Sequence, residues 1–233
     1  MPKHPTAARV HKEASPDDAF IARVLETTAW ARTHSRTLVI GGAVFVLAIA
    51  AVLYYRNYRS ALREQSAVEL LRVRQTAASG NIALARRDLE TFIQRFSGTP
   101  SADEARLMLA TVQLEMAQPD SAARTVGPLA DDLDEPLGTS AAFLLAAAYE
   151  AQNKSGQAEA TYLRIADEAE MPFERREALD AVGRLRLEGG NAAGAVQVYE
   201  QLVREAPEDT GERSLYEMRL AEARARATAP SGG

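Results

Sequence analysis

The chain has 233 residues, a net charge of −5 and no cysteine. This length allows a membrane anchor plus one soluble domain of roughly 150 to 180 residues. The lack of cysteine excludes disulfides, thiolate metal sites, a cysteine nucleophile and a lipid-modified cysteine. Residues 56–233 carry 21 basic and 28 acidic side chains, a balance that argues against nucleic-acid binding. Because His4, His11 and His34 all precede this segment, a histidine-dependent active site within it is excluded.

The first segment, residues 1–36, is a basic tail with six basic and four acidic side chains. Ser15 followed by Pro16 and two aspartates is typical of a helix N-terminus. Apolar residues then recur at helical spacing on one side, namely Phe20, Ile21, Val24, Leu25 and Trp30. We expect an amphipathic juxtamembrane helix at the lipid headgroups, with docking to a partner or a solvated linker helix as the alternatives.

The next segment, residues 37–55, reads TLVIGGAVFVLAIAAVLYY and contains no charge. As a helix it is about 28 Å long, close to the hydrocarbon thickness of a bilayer. Tyrosines and arginines at its end are typical of a membrane interface. Its long polar leader and aromatic exit do not fit a cleaved signal peptide. We therefore predict a retained transmembrane helix, with a cleaved signal or a buried core helix as the alternatives.

The orientation of this span is not decided by the positive-inside rule. Three arginines lie near each of its ends: Arg23, Arg32 and Arg36 before it, and Arg56, Arg59 and Arg63 after it. The basic excess of the short tail favours a cytoplasmic tail, since long C-terminal domains translocate largely regardless of their charge. We expect the tail in the cytoplasm and the C-terminal domain on the outer side; a cytoplasm-facing adaptor is the alternative.

From residue 57 to about 226 the sequence shows helical periodicity, regular turn sequences and no convincing strand. This arrangement indicates paired antiparallel helices, and a repeat period supports it. Ala85, Ala122, Ala158 and Ala195 are separated by 37, 36 and 37 residues. A larger residue follows each alanine after four positions and an apolar one after seven: Leu89 and Phe92, Val126 and Leu129, Tyr162 and Ile165, Tyr199 and Leu202.

The preceding helices carry a large residue followed by a small one, at Leu109–Ala110, Leu145–Ala146 and Val182–Gly183. With Tyr149 and Pro207, this pattern resembles the tetratricopeptide repeat. Gln113 and Arg186 depart from it, because they replace an aromatic residue, and the first unit lacks a clear first-helix signature. The resemblance implies an all-α solenoid of about four helix pairs plus a capping helix, for which we expect a Ser214/Glu217 capping box.

These observations divide the chain into four parts. Residues 1–36 form the cytoplasmic tail, 37–55 the transmembrane helix, 56–226 the repeat domain and 227–233 a disordered tail.

The tetratricopeptide resemblance also implies a concave groove lined by first-helix residues, where such proteins hold partner peptides. Carried over by position, the groove residues are Glu104, Leu107, Thr111, Leu114, Ser140, Phe143, Ala147, Glu150, Glu177, Asp180 and Arg184. Leu107, Leu114 and Phe143 are apolar where a helix exterior is usually polar. They are either partner contacts or residues that pack on neighbouring helices.

The sequence contains no nucleotide-binding loop, nucleophile elbow or metal motif. The acidic run DDLDE at residues 131–135 lacks the spaced ligands and the glycine of a calcium loop, so we interpret it as a solvated turn. We therefore expect neither an enzyme nor a cofactor, metal or small-molecule substrate.

The order of parts, a basic tail, one span, four repeats and a cap, resembles the YfgM-like family of ancillary Sec translocon subunits over roughly residues 18–226. This resemblance implies a bacterial inner-membrane protein with one span and a periplasmic domain. It also implies protein partners: SecYEG translocon subunits, a periplasmic chaperone or an emerging polypeptide. The alternative is a coordinator of cell-envelope assembly or division that uses the same groove.

Overall fold

The computed structural model describes residues 34–78, 80–208 and 210–229, and these residues form nine α-helices and no β-strand. The predicted tail helix and the last residues, 230–233, lie outside the described part of the chain. The helices are α1 Ser35–Ala78, α2 Ile82–Arg95, α3 Pro100–Glu115, α4 Pro119–Ala130, α5 Gly138–Ala151, α6 Ser155–Glu168, α7 Pro172–Glu188, α8 Ala192–Glu205 and α9 Gly211–Thr228. The expected all-helical fold is confirmed for these residues.

Helix α1 is longer than the predicted span, since it continues without a break from Ser35 to Ala78. The chain divides into two compact units, residues 1–60 and 61–233, and the division falls inside this helix. In the first unit, α1 is apolar and unburied, and among the described helices it is the one long and apolar enough to cross a bilayer. A signal sequence near the N-terminus can also meet these criteria of length and apolarity, so they do not by themselves distinguish it from a membrane span.

The C-terminal part of α1 belongs to the second unit, where Leu70 and Val73 are buried with Leu89 and Phe92 of α2. This part of α1 is therefore the first helix of the degenerate first repeat. The sequence did not mark its start, because no glycine or proline separates it from the apolar segment.

Small residues allow the two helices of a repeat to approach each other. The four periodic alanines, Ala85, Ala122, Ala158 and Ala195, are fully buried. Gly183 of α7 faces the buried Tyr199 ring of α8, and a Cβ atom at this position would lie 2.6 Å from the Cζ atom of Tyr199. The large-small pattern read from the sequence therefore describes real helix-helix contacts.

Turns within each helix pair share one backbone feature, a residue with positive φ. These residues are Gly80, Ala117, Asn153 and Gly190, and their spacing repeats the period of the alanines. Positive φ lets the chain reverse direction directly after a helix, which is easiest for glycine and tolerated by asparagine. Ala117 holds the same conformation at a steric cost.

Two departures from the repeat pattern are compensated by polar contacts between helices. Gln113 is buried, and its Oε1 atom accepts a hydrogen bond of 2.8 Å from the Thr125 hydroxyl. The Nε atom of Arg186 donates to Glu159 at 2.8 Å. Gln113 therefore joins the two helices of its own repeat, whereas Arg186 joins α7 to α6 of the preceding repeat.

The expected Ser214/Glu217 capping box is wrong. Helix α9 begins at Gly211, and its N-cap is Thr210, whose hydroxyl accepts a hydrogen bond of 3.2 Å from the backbone nitrogen of Arg213. Ser214 is already within the helix. The helix also extends to Thr228, so residues 227 and 228 are helical and not part of a disordered tail.

Candidate functional site

The predicted groove residues lie on the first helices of three repeats, α3, α5 and α7. On α3, Thr111 is exposed, whereas Leu107 and Leu114 are partly buried and pack against the core. Glu104 is half-exposed and forms an ion pair with Arg74 of α1. Packing accounts for the apolar character of the two leucines; their role as partner contacts stays a prediction.

On α5, Ser140 is exposed and Ala147 is partly buried. Phe143 packs against the core, with its ring centroid 6.0 Å from that of Tyr162 on α6. Thus Phe143 joins the two helices of its repeat. The Phe143 side chain is still partly exposed, and exposed Ser140 lies about one turn before it on α5.

Glu150 and Arg184 meet although they belong to different repeats. Arg184 donates to Glu150 at 2.8 Å and to Glu188 at 3.2 Å, and the Tyr162 hydroxyl donates to Glu150 at 2.8 Å. Burial and the hydrogen bond to Glu150 raise the pKa of Tyr162, so its hydroxyl stays a donor. Burial opposes the charged form of Arg184, but the hydrogen bonds and negative charges of Glu150 and Glu188 together raise the pKa of Arg184.

A second ion pair extends this network to the last helix. Arg219 of α9 donates to the Oδ1 atom of Asp180 on α7. Burial raises the pKa of Asp180 even though Arg219 opposes this shift. Burial also raises the pKa of Tyr199, which lies next to the same arginine. The predicted residues Glu150, Asp180 and Arg184 are therefore brought together, whereas Glu177 is exposed on α7.

An open pocket of about 270 Å³ lies beside these ion pairs. Seven residues from α7, α8 and α9 line it: Arg184, Leu187, Glu188, Tyr199, Arg219, Glu222 and Arg226. The lining contains three arginines and two glutamates. Each glutamate forms an ion pair with one of these arginines, Glu188 with Arg184 and Glu222 with Arg226. Such an arrangement suits the binding of polar groups rather than proton transfer.

Sequence reasoning missed Arg219, which lies on the capping helix and contacts α7 from 39 positions away. Its only signal was the arginine-rich sequence of the last helix, and this does not identify a partner. Among the described residues, no three acidic or histidine side chains are grouped so that they could hold a metal ion.

Comparison with protein families identifies one match. The model of the tetratricopeptide repeat-like domain matches residues 28–225, which is most of the chain. No curated protein sequence matches the chain significantly.

Solved structures share the fold. TPR-like repeats of a Podosopora anserina protein described as a kinesin light chain match with a TM-score of 0.58 at 19% identity, covering 71% of this chain and 88% of theirs. A tetratricopeptide repeat protein from Parabacteroides merdae matches with a TM-score of 0.56 at 19% identity, covering 69% of this chain and 61% of its own. At these identities the similarity concerns the fold alone.

Proposed function

The chain belongs to the tetratricopeptide repeat-like domain family, and from this premise we propose that it is a membrane-anchored, non-catalytic scaffold for partner proteins. Repeat domains of this kind stack helix pairs into extended binding surfaces. The proposed binding surface, called here the first-helix face, consists of the predicted groove residues on α3, α5 and α7.

The observation that carries this proposal is the ion-pair network on the first-helix face. Glu150, Arg184 and Asp180 are held by partners from neighbouring helices, while Thr111 on α3 and Ser140 on α5 are exposed. A surface whose side chains are already fixed loses little conformational entropy when a partner binds. The face therefore combines preorganised charges with accessible contact positions.

The membrane anchor is proposed to be residues 37–55 at the start of α1. In support, the apolar window has a mean hydropathy of 2.5 and none of its residues is buried. At its end, the Tyr54 and Tyr58 rings stack with centroids 6.5 Å apart, and the guanidinium of Arg59 lies 5.9 Å from the centroid of the Tyr55 ring. Aromatic and arginine side chains together are typical of the lipid headgroup region.

The finer assignment is a YfgM-like subunit of the bacterial inner membrane, with the tail of residues 1–36 cytoplasmic and the repeat domain of residues 56–226 periplasmic. Its partners are then SecYEG subunits, a periplasmic chaperone or an emerging polypeptide. The order of tail, span and repeats supports this assignment.

The sidedness can be tested directly, because the chain has no native cysteine. Gln157→Cys places a single thiol at an exposed position of α6. A membrane-impermeant maleimide added to spheroplasts should label this variant without lysis. Labelling only after lysis would place the domain in the cytoplasm and contradict the proposal.

The binding face can be tested by photo-crosslinking in intact membranes. A photoreactive residue at the exposed positions Thr111, Ser140 and Glu177 should trap Sec subunits, a periplasmic chaperone or translocating chains. The same residue at Asp120 and Ala160, which are exposed on second helices, is the matched control. Equal trapping from both sets would reject the first-helix face, whereas trapping of cell-wall synthases would favour the envelope-assembly alternative.

A further inference from the structure

The loops of the repeat domain alternate between two edges, because short loops join successive antiparallel helices. Side-chain contacts confirm which helix ends share an edge. Arg164 donates to the carbonyl oxygen of Ala130 at the end of α4, and Arg175 donates to that of Ala166 near the end of α6 at 2.6 Å. These arginines lie where the negative end of each helix dipole favours a cation. The loops between repeats therefore lie together, on what we call the inter-unit edge.

The loops at the two edges differ in charge. The inter-unit edge is formed by residues 96–99, 131–137, 169–171, 206–208 and 210, and these residues include acidic side chains but no lysine or arginine. The opposite edge is formed by residues 80–81, 116–118, 152–154 and 189–191, and among these residues Lys154 is the one that is charged. Among the loop residues, negative charge is thus concentrated at the inter-unit edge.

The inter-unit edge also contains an apolar pocket of about 290 Å³, called here the loop pocket. Its apolar walls are Pro100, Pro128, Leu129, Pro136 and Leu137, and Asp103, Asp132 and Glu135 lie at its rim. This volume is at the lower end of the range for ligand pockets, which begins at about 300 Å³. The loop pocket is large enough to hold one large apolar side chain.

The shape of the loop pocket is fixed by the fold of the acidic loop. Leu133 is buried in the core, and the Oδ1 atom of Asp132 accepts a hydrogen bond of 3.0 Å from the backbone nitrogen of Asp134. Gly138 lets this loop pass close to α5, since a Cβ atom there would overlap the carbonyl oxygen of Asp132 at 1.9 Å. The run interpreted from sequence as a solvated turn is therefore anchored, with its carboxylates outside and one leucine inside.

The three carboxylates at the rim differ in whether they form an ion pair within the chain. Asp103 forms an ion pair with Arg106 and lies in the first turn of α3, so its charge is compensated within the chain. Asp132 and Glu135 are exposed and form no ion pair with any residue that the structure describes. These two carboxylates remain able to attract a cation.

We propose that the loop pocket binds a basic segment of a partner protein, inserting one large apolar side chain between Pro128, Leu129, Pro136 and Leu137. Charge complementarity selects this occupant, because lysine or arginine side chains flanking the apolar residue meet Asp132 and Glu135. Exposed Met171 and Phe173 at the next loop of the same edge add further apolar contact area. The residues of this site differ from those of the first-helix face, so an experiment can reject one of the two proposals without rejecting the other.

The test uses the full-length protein in detergent and three short synthetic peptides. One peptide has a central p-benzoylphenylalanine flanked by lysines and arginines, the second replaces the aromatic residue by glycine, and the third replaces the basic residues by glutamates. Fluorescence anisotropy measures affinity, with empty micelles as the blank. Mass spectrometry then identifies the residues that the photoreactive peptide labels.

Two variants and one control distinguish binding in the loop pocket from non-specific electrostatic attraction to the acidic domain. D132N/E135Q removes the free rim charges, and Leu137→Ser makes the apolar wall polar. E115Q/D120N removes the same charge from exposed positions at the opposite end of the same helix pair, and is the matched control. Far-UV circular dichroism checks that each variant keeps the helical fold.

The basic aromatic peptide should bind the wild type and the control equally, and should bind D132N/E135Q about tenfold more weakly at low salt. This peptide should label Leu129 or Leu137. The Leu137→Ser substitution should weaken binding of the peptide at every salt concentration. Several results would overturn the proposal: no binding below about 1 mM, equal losses in D132N/E135Q and the control, or equal binding of the acidic peptide. A change of oligomeric state in D132N/E135Q, measured by light scattering, would instead make the edge an interface between copies and also overturn it.

Discussion

Replacing Gly183 by alanine tests whether helix spacing in the last repeat depends on a missing side chain. The new Cβ atom would lie 2.6, 2.9 and 3.0 Å from three ring atoms of Tyr199. Tyr199 is only 1% exposed, so its ring cannot move away without opening the contact between α7 and α8. Overpacking of this kind usually costs about 1–3 kcal/mol.

The helix itself favours the substitution, because alanine is better than glycine in a helix by about 0.5–1 kcal/mol. The net expectation is a destabilisation of about 1–2 kcal/mol. For a chain of this size, that loss lowers the melting temperature by about 2–8 °C. Urea and thermal unfolding of the full-length protein in detergent, followed by circular dichroism, measure both quantities.

Gly156→Ala is the matched control, since this helical glycine has no atom within 4 Å of the new Cβ position. It should leave stability unchanged or raise it slightly. Tyr199→Leu removes the ring that causes the clash, so Gly183→Ala should cost less in that background, with a coupling of about 0.5–3 kcal/mol. If Gly183→Ala were as stable as Gly156→Ala, or if the double variant were additive, the steric reasoning would be refuted.

Two further predictions concern a strained turn and an ion pair. Ala117→Gly relieves a φ of 54° and should stabilise the protein by up to about 1 kcal/mol in urea unfolding, whereas Asn153→Gly should have a smaller effect, because asparagine tolerates this conformation. The hydrogen bond from Arg176 lowers the pKa of Glu212, so its contribution to stability is present above the ordinary glutamate pKa and is lost as the pH falls through the lowered value. Arg176→Gln should therefore be less stable than the wild type at neutral pH, and melting curves should converge as the pH falls below about 4; a constant difference would contradict this reasoning.

The helical repeat was predictable because it depends on local spacing. The buried alanines and the larger residues four positions later recur in every unit, and each such pattern marks a helix face without knowledge of the rest of the fold. The same holds for the residues in the turns, since Gly80 and Gly190 already indicate a change of chain direction.

What the sequence did not reveal depends on distant or competing contacts. Arg219 meets Asp180 only because α9 packs beside the last repeat, and no local pattern indicates this pairing. The capping box at Ser214 failed for a different reason. Thr210 offers an equivalent hydroxyl four residues earlier; it donates to the carbonyl oxygen of Pro207 and accepts from the backbone nitrogen of Arg213, and so caps the helix.

The contrast between the two edges follows from the geometry of their turns. A turn within a helix pair needs a residue with positive φ at a fixed position, and this requirement selects glycine or asparagine in three of the four repeats. Loops between repeats need no such residue at a common position, and they vary in length, sequence and charge. Because loops on a rigid scaffold commonly carry binding residues, the inter-unit edge is the one where acidic and apolar side chains could be placed without disturbing helix pairing. The repeat architecture thus constrains the sequence of the turns within helix pairs, whereas the loops between repeats can vary and carry residues for recognition.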